Sequence, residues 1–305
     1  MKYLLIFNPT AYQGKSGKRF AKILNLLKIK NVTFEYLTTS KKDEAIELAA
    51  QATKEKFDVV VAVGGDGTIC EVITGLMQQT PARRAKLGVI HIGTSPDFNR
   101  YHNLPVKLED AVRILIQGKT EKIDVGKVTH LDLEKEEIVS YFGSSVNMGL
   151  GPNIASKSNG RYRKFLGDFA GTLCSTLVSL VEYKSSDFQL IIDGKQEEVK
   201  GIFNLTVGKD PYLASGMRVP LDITPDDGRM FCLAISGSSK MPLLMNLWKL
   251  YAGNILDYSG ANLKYCKEVE IKPNRNSMIE FDGDFRGYLP AKVQVIPKTL
   301  EVIVN

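Results

Sequence analysis

Three glycines interleaved with polar residues follow an apolar run in the first quarter of the chain. The β-branched stretch Val59–Val63 gives way to Gly64-Gly65-Asp66-Gly67-Thr68. A Gly-rich turn between a strand and a helix presents backbone N–H groups, which bind anions and above all phosphate. The spacing is neither that of a Walker loop nor that of the dinucleotide-binding fingerprint. The segment therefore predicts a phosphate site of another kind, and the alternative is a plain strand–helix turn.

Asp66 places a carboxylate inside this turn. Because a carboxylate repels phosphate, the residue is expected either to bind a magnesium ion that accompanies the anion or to cap the turn. Thr68 followed by Glu71 also fits a capping box, which predicts a helix that begins at Ile69.

Acidic and apolar residues alternate near the far end of the chain, in Ile279-Glu280-Phe281-Asp282-Gly283-Asp284. If this segment is a single strand, its three acids share one face, because successive side chains point to opposite sides. One carboxylate of such a set can take the proton of an attacking hydroxyl while another orients that hydroxyl or a magnesium ion. Asp282 and Asp284 are therefore the candidate catalytic pair. The alternative is an Asp-Gly hairpin turn, as predicted at Asp193-Gly194.

Strands and amphipathic helices alternate over residues 1–124, which predicts a parallel sheet covered on both sides. The predicted strands are Tyr3–Phe7, Val32–Leu37, Asp58–Val63 and Leu87–Ile92. Ligands of such sheets bind at the carboxyl ends of the strands. The loops 8–18, 38–42, 64–68 and 93–100 are therefore expected to share one edge of the sheet.

From residue 125 onward the pattern changes to short strands with two helical segments, 162–182 and 242–252. This favours a mainly antiparallel β-sandwich domain over residues 125–305, after an α/β domain over residues 1–124. The predicted strands are Val125–Thr129, Val139–Val146, Phe188–Ile192, Phe203–Val207, Met230–Ser236, Glu268–Lys272, Met278–Phe281 and Lys292–Ile296. A last strand, Leu300–Val304, either stays in this domain or returns to the first one.

Composition excludes several classes of protein. The net charge of +6, from 40 Lys and Arg against 34 Asp and Glu, is too small and too dispersed for a nucleic-acid-binding protein. It suits an anionic substrate or a weak attraction to acidic lipid headgroups. Four scattered cysteines and three separate histidines predict neither disulfides nor a zinc site. No apolar run approaches the length of a membrane span, and we expect a cytoplasmic protein.

Four segments together carry a resemblance to a known family: Asn8-Pro9-Thr10-Ala11, Gly64–Thr68, Gly93-Thr94-Ser95-Pro96-Asp97-Phe98 and Asp282-Gly283-Asp284. In this order they resemble the NPxxG, GGDGT, GTxNDFAR and DGE segments of the diacylglycerol kinase catalytic-domain family, the bacterial soluble lipid kinases related to sphingosine and ceramide kinases. The resemblance covers essentially the whole chain. It implies an ATP-binding, NAD kinase-like α/β domain, a β-rich lipid-substrate domain, and an active site in the cleft between them.

The implied activity is the ATP- and Mg²⁺-dependent phosphorylation of a hydroxyl on a diacylglycerol-like lipid. The resemblance implies a catalytic base at Asp284 or Asp282, and a structural magnesium site at Thr224, Asp227 and the backbone of Arg229. It implies nucleotide contacts for Asn8, Pro9, Thr10, Ala11, Thr39, Gly64, Gly65, Asp66, Gly67, Thr68, Ile69, Cys70, Glu71 and Thr94.

The chain departs from the family pattern at several positions. Pro96 replaces the Asn of GTxNDFAR, Cys70 replaces the Asn after GGDGT, and His91 stands where the family usually has Pro. Asp284 replaces the Glu of DGE and reaches one methylene less far, so either Asp282 is the base or the acceptor differs.

Two other functions remain open from the sequence. An NAD kinase shares a GGDGT loop, but the second half lacks an Asn-Glu pair followed by the Ser/Thr-Gly-Ser/Thr-Ala-Tyr segment of those enzymes. A non-catalytic relative that binds nucleotide or lipid is the second alternative. The expected partners are a lipid substrate and a membrane surface, contacted peripherally and without nucleic acid. A homodimer is left open.

Overall fold

The structure of the protein, a computed structural model, describes residues 1–157, 168–214, 217–237, 239–273, 277–281 and 284–305. The chain forms two compact units: Met1–Val125 with Lys298–Asn305, and Gly126–Pro297. The first is an α/β unit and the second is mainly antiparallel β-structure. The expected mixed fold class is thereby confirmed. The final segment of the chain belongs to the first unit.

The sheet of the first unit is parallel, and its central strands are apolar on both faces. Every residue of the first and third strands is buried, as expected for strands covered by helices on both sides. Its strands are β1 (Tyr3–Phe7), β2 (Phe34–Thr38), β3 (Val59–Gly64), β4 (Lys86–His91) and the last residues of β16, a long strand that spans Asp284–Ile303. They lie in the order β16–β4–β3–β1–β2.

The helices of the first unit bury one apolar stripe each, as in the first helix, where Phe20, Ile23 and Leu27 enter the core. They are α1 (Gly17–Ile29), α2 (Glu44–Lys54), α3 (Asp66–Met77), α4 (Asp97–Tyr101) and α5 (Leu108–Gln117). Short 3₁₀ turns occur at Ala11–Gly14 and Pro81–Arg83.

The second unit is built on antiparallel strands. The strands not yet given are β5 (Thr120–Leu131), β6 (Glu137–Phe142), β7 (Ser145–Gly149), β8 (Ser186–Ile192), β9 (Lys195–Gly208), β10 (Tyr212–Ala214), β11 (Met217–Arg218), β12 (Met230–Ser236), β13 (Ala261–Cys266), β14 (Glu268–Pro273) and β15 (Met278–Phe281). The main strand order of this unit is β13–β12–β9–β7–β15–β16. Both β5 and β16 have residues in each of the two units.

The helices of the second unit are α6 (Leu150–Lys157), α7 (Asp168–Glu182), α8 (Lys240–Asn246) and α9 (Trp248–Ala252), with a 3₁₀ turn at Ile255–Asp257. The beginning of the predicted helical segment 162–182 lies outside the described residues. In the part of the chain that the structure describes, each helix is too short or too polar to cross a bilayer.

Three strand predictions after residue 125 were wrong in their bounds. The predicted strand Val139–Val146 is two strands, β6 and β7, while the predicted strands at 292–296 and 300–304 are parts of the single long strand β16. The hairpin prediction at Asp193-Gly194 is confirmed, because both residues have positive φ and Ile192 pairs with Lys195.

Candidate active site

The Gly-rich turn joins β3 to α3, and α3 begins at Asp66 with Gly65 as its N-cap. Gly65 is extended, with φ −96° and ψ −172°, and its carbonyl oxygen accepts the N–H groups of Thr68 at 3.0 Å and of Ile69 at 3.1 Å. The predicted start at Ile69, with Thr68 as the cap, was therefore wrong. Thr68 lies inside the first turn, and its hydroxyl accepts a hydrogen bond from another loop instead of capping the helix.

Two glycines let the backbone come close at this turn. A Cβ atom on Gly64 would lie 2.3 Å from Oγ1 of Thr68, and one on Gly93, in the loop after β4, would lie 2.6 Å from Cα of Gly65. Both distances are shorter than any van der Waals contact, so only glycine fits at either position. We call Gly64–Thr68 together with Gly93 the cradle. Its surface is mainly backbone, and the N-terminus of α3 gives it the positive end of a helix dipole.

Asn8 connects the loop after β1 to the cradle. Its Nδ2 donates to Oγ1 of Thr68 at 3.0 Å, and its Oδ1 accepts the backbone N–H of Thr10 at 2.9 Å and the hydroxyl of Thr10 at 2.7 Å. The loop after β2 also reaches this edge, where Asp43 donates its N–H to Glu71 at 3.3 Å. The expectation that these loops share the carboxyl edge of the sheet is therefore confirmed.

Asp66 has two neighbours that shape its charge, His91 and Asp97. One carboxylate oxygen accepts the backbone N–H of Asp97 at 3.2 Å, and the other lies 3.7 Å from Nε2 of His91. Burial lowers the pKa of His91 to about 4, so the imidazole is neutral at pH 7. The neutral imidazole brings no positive charge to pair with the carboxylate of Asp66.

The other residues matched to the nucleotide divide by their exposure. The side chains of Ile69 and Cys70 are buried, and the N–H of Ile69 is already donated to the carbonyl of Gly65. Thr39 is buried as well, and its N–H donates to the carbonyl of Phe7 at 2.9 Å. The remaining side chains of this set are half-buried or exposed: Pro9, Thr10, Ala11, Glu71 and Thr94.

In the second unit, Asp284 begins β16 directly opposite Phe281, the last residue of β15. The prediction of one strand through this segment was wrong, because Phe281 and Asp284 pair across two antiparallel strands. Glu280 pairs with Phe285, and residues paired across strands share a face, so Glu280 and Asp284 lie on opposite faces. Asp282 lies outside the described residues.

Arg286 accompanies the carboxylate of Asp284. Its Nη2 lies 3.4 Å from Oδ2 of Asp284, and the guanidinium group stands 5.5 Å from the centre of the Phe281 ring. The arginine side chain is only 9% exposed, whereas that of Asp284 is 34% exposed. A carboxylate that is accessible and held by a buried cation can accept a proton from a bound hydroxyl.

The residues matched to a structural magnesium site, Thr224, Asp227 and Arg229, also lie close together, but a lysine side chain contacts them. The ammonium group of Lys209 donates to Oδ1 of Asp227 and, at 2.9 Å, to the carbonyl oxygen of Arg229. The N–H of Thr224 donates to Oδ2 of Asp227 at 3.1 Å. The oxygens that would bind the metal are thus already hydrogen-bonded to protein cations and N–H groups. Among the described residues there is no cluster of three His, Cys, Asp or Glu side chains that could hold a metal ion.

Two family models match the chain in tandem. The diacylglycerol kinase catalytic domain matches residues 2–128. The YegS C-terminal NAD kinase beta sandwich-like domain matches residues 144–304, and this second match alone covers more than half of the chain. The chain belongs to the diacylglycerol kinase family. The resemblance found from the sequence is thereby confirmed.

Individual relatives of this diacylglycerol kinase family member support the same family assignment. A diacylglycerol kinase of Staphylococcus haemolyticus (strain JCSC1435) is 28% identical over 305 residues, covering 98% of this chain and 86% of that protein. A crystal structure from Bacillus anthracis str. Sterne, of a protein provisionally assigned as a diacylglycerol kinase, has a TM-score of 0.78 at 22% identity and covers 100% of this chain and 95% of its own.

Yeast NADH kinase in complex with NADH has a TM-score of 0.55 at 9% identity, covering 100% of this chain and 84% of the yeast chain. At these identities the solved structures show the fold alone, which is NAD kinase-like. The family assignment makes the chain a member of a kinase family, for which ATP is the implied phosphate donor.

Magnesium fits this family member at one of the two expected places. Mg²⁺ in kinases is bound by one or two carboxylates together with the phosphates of the substrate, and the carboxylate of Asp66 beside the cradle suits that role. It does not fit at Asp227, because the Lys209 ammonium already lies against the two oxygens it would need.

Sequence reasoning noted His91 only as a departure from the family pattern, and it missed Lys209. It treated the three histidines as separate, although the register of β3 with β4 pairs Gly64 with His91 and so brings the imidazole to the cradle. Lys209 follows the last residue of β9, and Gly208 pairs with Phe231 in β12, which brings the lysine beside the loop before β12. The contact of His91 with the cradle and that of Lys209 with Asp227 can be predicted only if these strand pairings are known.

Proposed function

We infer that the protein is an ATP- and Mg²⁺-dependent lipid kinase that phosphorylates a hydroxyl of a diacylglycerol-like lipid. The observation that carries this inference is the cradle: glycine-rich backbone at the N-terminus of α3, where helices favour anions, with the carboxylate of Asp66 at its edge. The family assignment supports phosphoryl transfer to a lipid alcohol over other uses of such a site.

The chain's own groups divide the work as follows. The N-terminus of α3 and the glycines of the cradle bind the phosphate oxygens, and Asn8 holds the neighbouring loop in place through Thr68. Mg²⁺, when bound with the nucleotide at Asp66, neutralises charge on the phosphates. Asp284, steadied by Arg286, takes the proton of the lipid hydroxyl as general base.

A transfer assay tests this function. Labelled ATP is offered with a short-chain diacylglycerol, with NAD, and with a total lipid extract in the presence of Mg²⁺. We expect label in the lipid and none in NAD. Transfer to NAD alone would make the protein an NAD kinase, and nucleotide binding without transfer to any acceptor would make it a non-catalytic relative.

The role of Asp284 is tested by Asp284→Ala, with Asp282→Ala beside it. General-base help contributes roughly 10²–10⁴-fold, so Asp284→Ala should reduce transfer by about this factor while ATP binding persists. Glu137→Gln is the matched control, because Glu137 is an exposed acid on β6 of the same unit. Full activity of both Asp variants would contradict the assignment of the base.

We extend the proposal to a membrane surface, because a lipid acceptor must be reached there. The helices α7, α8 and α9 expose an unusual number of large apolar side chains, and Lys240 and Lys249 on the last two add positive charge. Apolar side chains flanked by lysine suit the interface of an anionic bilayer. The exposed apolar side chains are Leu177, Val181, Met241, Leu244, Met245 and Trp248.

Vesicle sedimentation tests the surface. Trp248→Glu should weaken binding to vesicles that contain phosphatidylglycerol, since Trp248 is 60% exposed on α9. Leu133→Glu is the matched control, because Leu133 is 62% exposed but lies outside these helices. Equal binding of the two variants would refute this surface.

A further inference from the structure

Lys209 is a buried cation that is held in place through both its side chain and its backbone N–H. Its side chain is only 3% exposed, and its backbone N–H donates to the carbonyl of Ser144 at 2.8 Å. A lysine is rarely buried to this extent unless its charge is compensated. The compensation comes from the loop that precedes β12, where the ammonium contacts Oδ1 of Asp227 and the carbonyl oxygen of Arg229.

The carboxylate of Asp227 is fully engaged in this loop. Oδ1 accepts the N–H of Arg229 at 2.9 Å in addition to the Lys209 ammonium. Oδ2 accepts the N–H of Thr224 at 3.1 Å, and Nη2 of the Arg229 guanidinium lies 2.9 Å from it. Burial by itself raises the pKa of Asp227, but the hydrogen bonds from Lys209, Arg229 and Thr224 outweigh it and lower the pKa to about 2.

A divalent ion cannot share these oxygens with the lysine. Mg²⁺ binds oxygen at about 2.0–2.1 Å and requires near-octahedral coordination. An ion on Oδ1 of Asp227 and the carbonyl of Arg229 would stand within a few ångströms of the ammonium nitrogen that contacts the same two atoms. Like charges this close in a buried site repel strongly, because little water screens them. The lysine and the metal are therefore mutually exclusive.

We propose that the Lys209 ammonium is a built-in cation of this loop and takes the place of the divalent ion expected there. The loop 222–229 is consequently complete without metal in the natural protein. When the lysine side chain is shortened, the same oxygens accept Mg²⁺ or Mn²⁺. This inference concerns the second unit alone and does not depend on the proposed kinase activity.

The test uses the full chain without nucleotide, in EDTA and in 10 mM MgCl₂ or MnCl₂. The natural protein should have the same melting temperature in all three. Lys209→Ser, which removes the ammonium and leaves room for an ion, should melt roughly 5–10 °C lower in EDTA and should recover part of that loss with either metal. Lys209→Met, which fills the space without charge, should melt lower and should gain nothing from metal.

A double variant assigns any rescue to the loop. Adding Asp227→Asn to Lys209→Ser should abolish the gain from metal, whereas an ion bound elsewhere would still stabilise the double variant. If Lys209→Ser does not fold, Lys209→Arg should melt above Lys209→Met, because it retains the charge. The proposal is overturned if EDTA lowers the melting temperature of the natural protein, if Lys209→Ser gains no more from metal than Lys209→Met does, or if Lys209→Arg melts no higher than Lys209→Met.

Discussion

The cradle of the first unit and the loop 222–229 of the second each gather polar groups around one charged position. The cradle combines the N-terminus of α3 with glycines that leave the backbone open, and its central residues are half-exposed. The loop before β12 surrounds the carboxylate of Asp227 with Lys209, Arg229 and the N–H of Thr224, and its lysine is buried.

The two sites differ in the source of the charge that balances them: a ligand in the cradle, and the Lys209 side chain in the loop. A site that must release its ligand cannot bury a permanent countercharge, so its polar groups stay accessible and cost little stability. A site whose countercharge is a side chain can be closed, and removing either partner then leaves a buried charge behind. Substitutions of charged residues in the cradle should therefore affect activity, and those of charged residues in the loop should affect stability.

Matched Asp→Asn substitutions test this separation most strongly. Asp66→Asn should reduce phosphoryl transfer by at least about 10²-fold, because in the proposed function this carboxylate holds Mg²⁺, and should change stability by less than about 1 kcal/mol. Asp227→Asn should cost about 3 kcal/mol or more, since Lys209 is left buried without its carboxylate. Urea unfolding and the transfer assay measure the two effects. Equal stability losses would end the comparison.

Glycine substitutions test backbone packing instead of charge, and here the larger loss of stability is expected in the cradle. A Cβ on Gly64 meets the Thr68 side chain at 2.3–2.8 Å, so Gly64→Ala should cost about 2–3 kcal/mol and abolish nucleotide binding. Gly228, in the loop before β12, has φ +71° and its nearest neighbour would be Pro297 at 3.6 Å. Gly228→Ala should therefore cost only about 1 kcal/mol of left-handed strain and leave binding intact. Calorimetry with an ATP analogue distinguishes the two outcomes.

The cradle was predictable from the sequence, whereas the loop with its lysine was not. An apolar run followed by closely spaced glycines is a local signal, and strand–helix alternation fixes the edge on which the turn lies. The contact of Lys209 with Asp227 spans 18 residues and is created by the pairing of β9 with β12. Local sequence patterns do not encode such a register.

The acidic segment near the chain's end shows how a sequence pattern can predict the wrong local geometry. Alternation of apolar and acidic residues suggested one strand, and the Asp-Gly turn was the alternative. The pairing of Phe281 with Asp284 makes these residues opposite ends of two strands. A single strand and a hairpin are both compatible with this sequence. Which of them forms depends on whether β16 pairs with β15, and the local sequence does not determine that pairing.

The buried imidazole of His91 beside the cradle predicts a loss of stability at acid pH. Burial lowers the pKa of His91 from 6.5 to about 4, so its contribution to stability is complete above pH 6.5 and is lost as the pH falls toward 4. The loss should reach about 2 kcal/mol at pH 5. The pKa of Asp227, which is about 2, leaves its contribution unchanged in this range. His91→Gln should show a shallower loss between pH 7 and pH 5 in urea unfolding, and an identical loss would contradict the assignment.

An exposed ion pair in the second unit isolates the effect of burial. Lys264 and Glu197 approach to 2.5 Å, as close as a buried pair, but their side chains are 41% and 32% exposed. Water already solvates both charges, so Lys264→Met should cost about 0.5 kcal/mol or less, and 0.5 M NaCl should diminish even that. Lys209→Met, at a side chain that is 3% exposed, should cost several times more and respond little to salt. Similar losses for the two substitutions would mean that charge pairing, and not burial, sets the energetics of the loop.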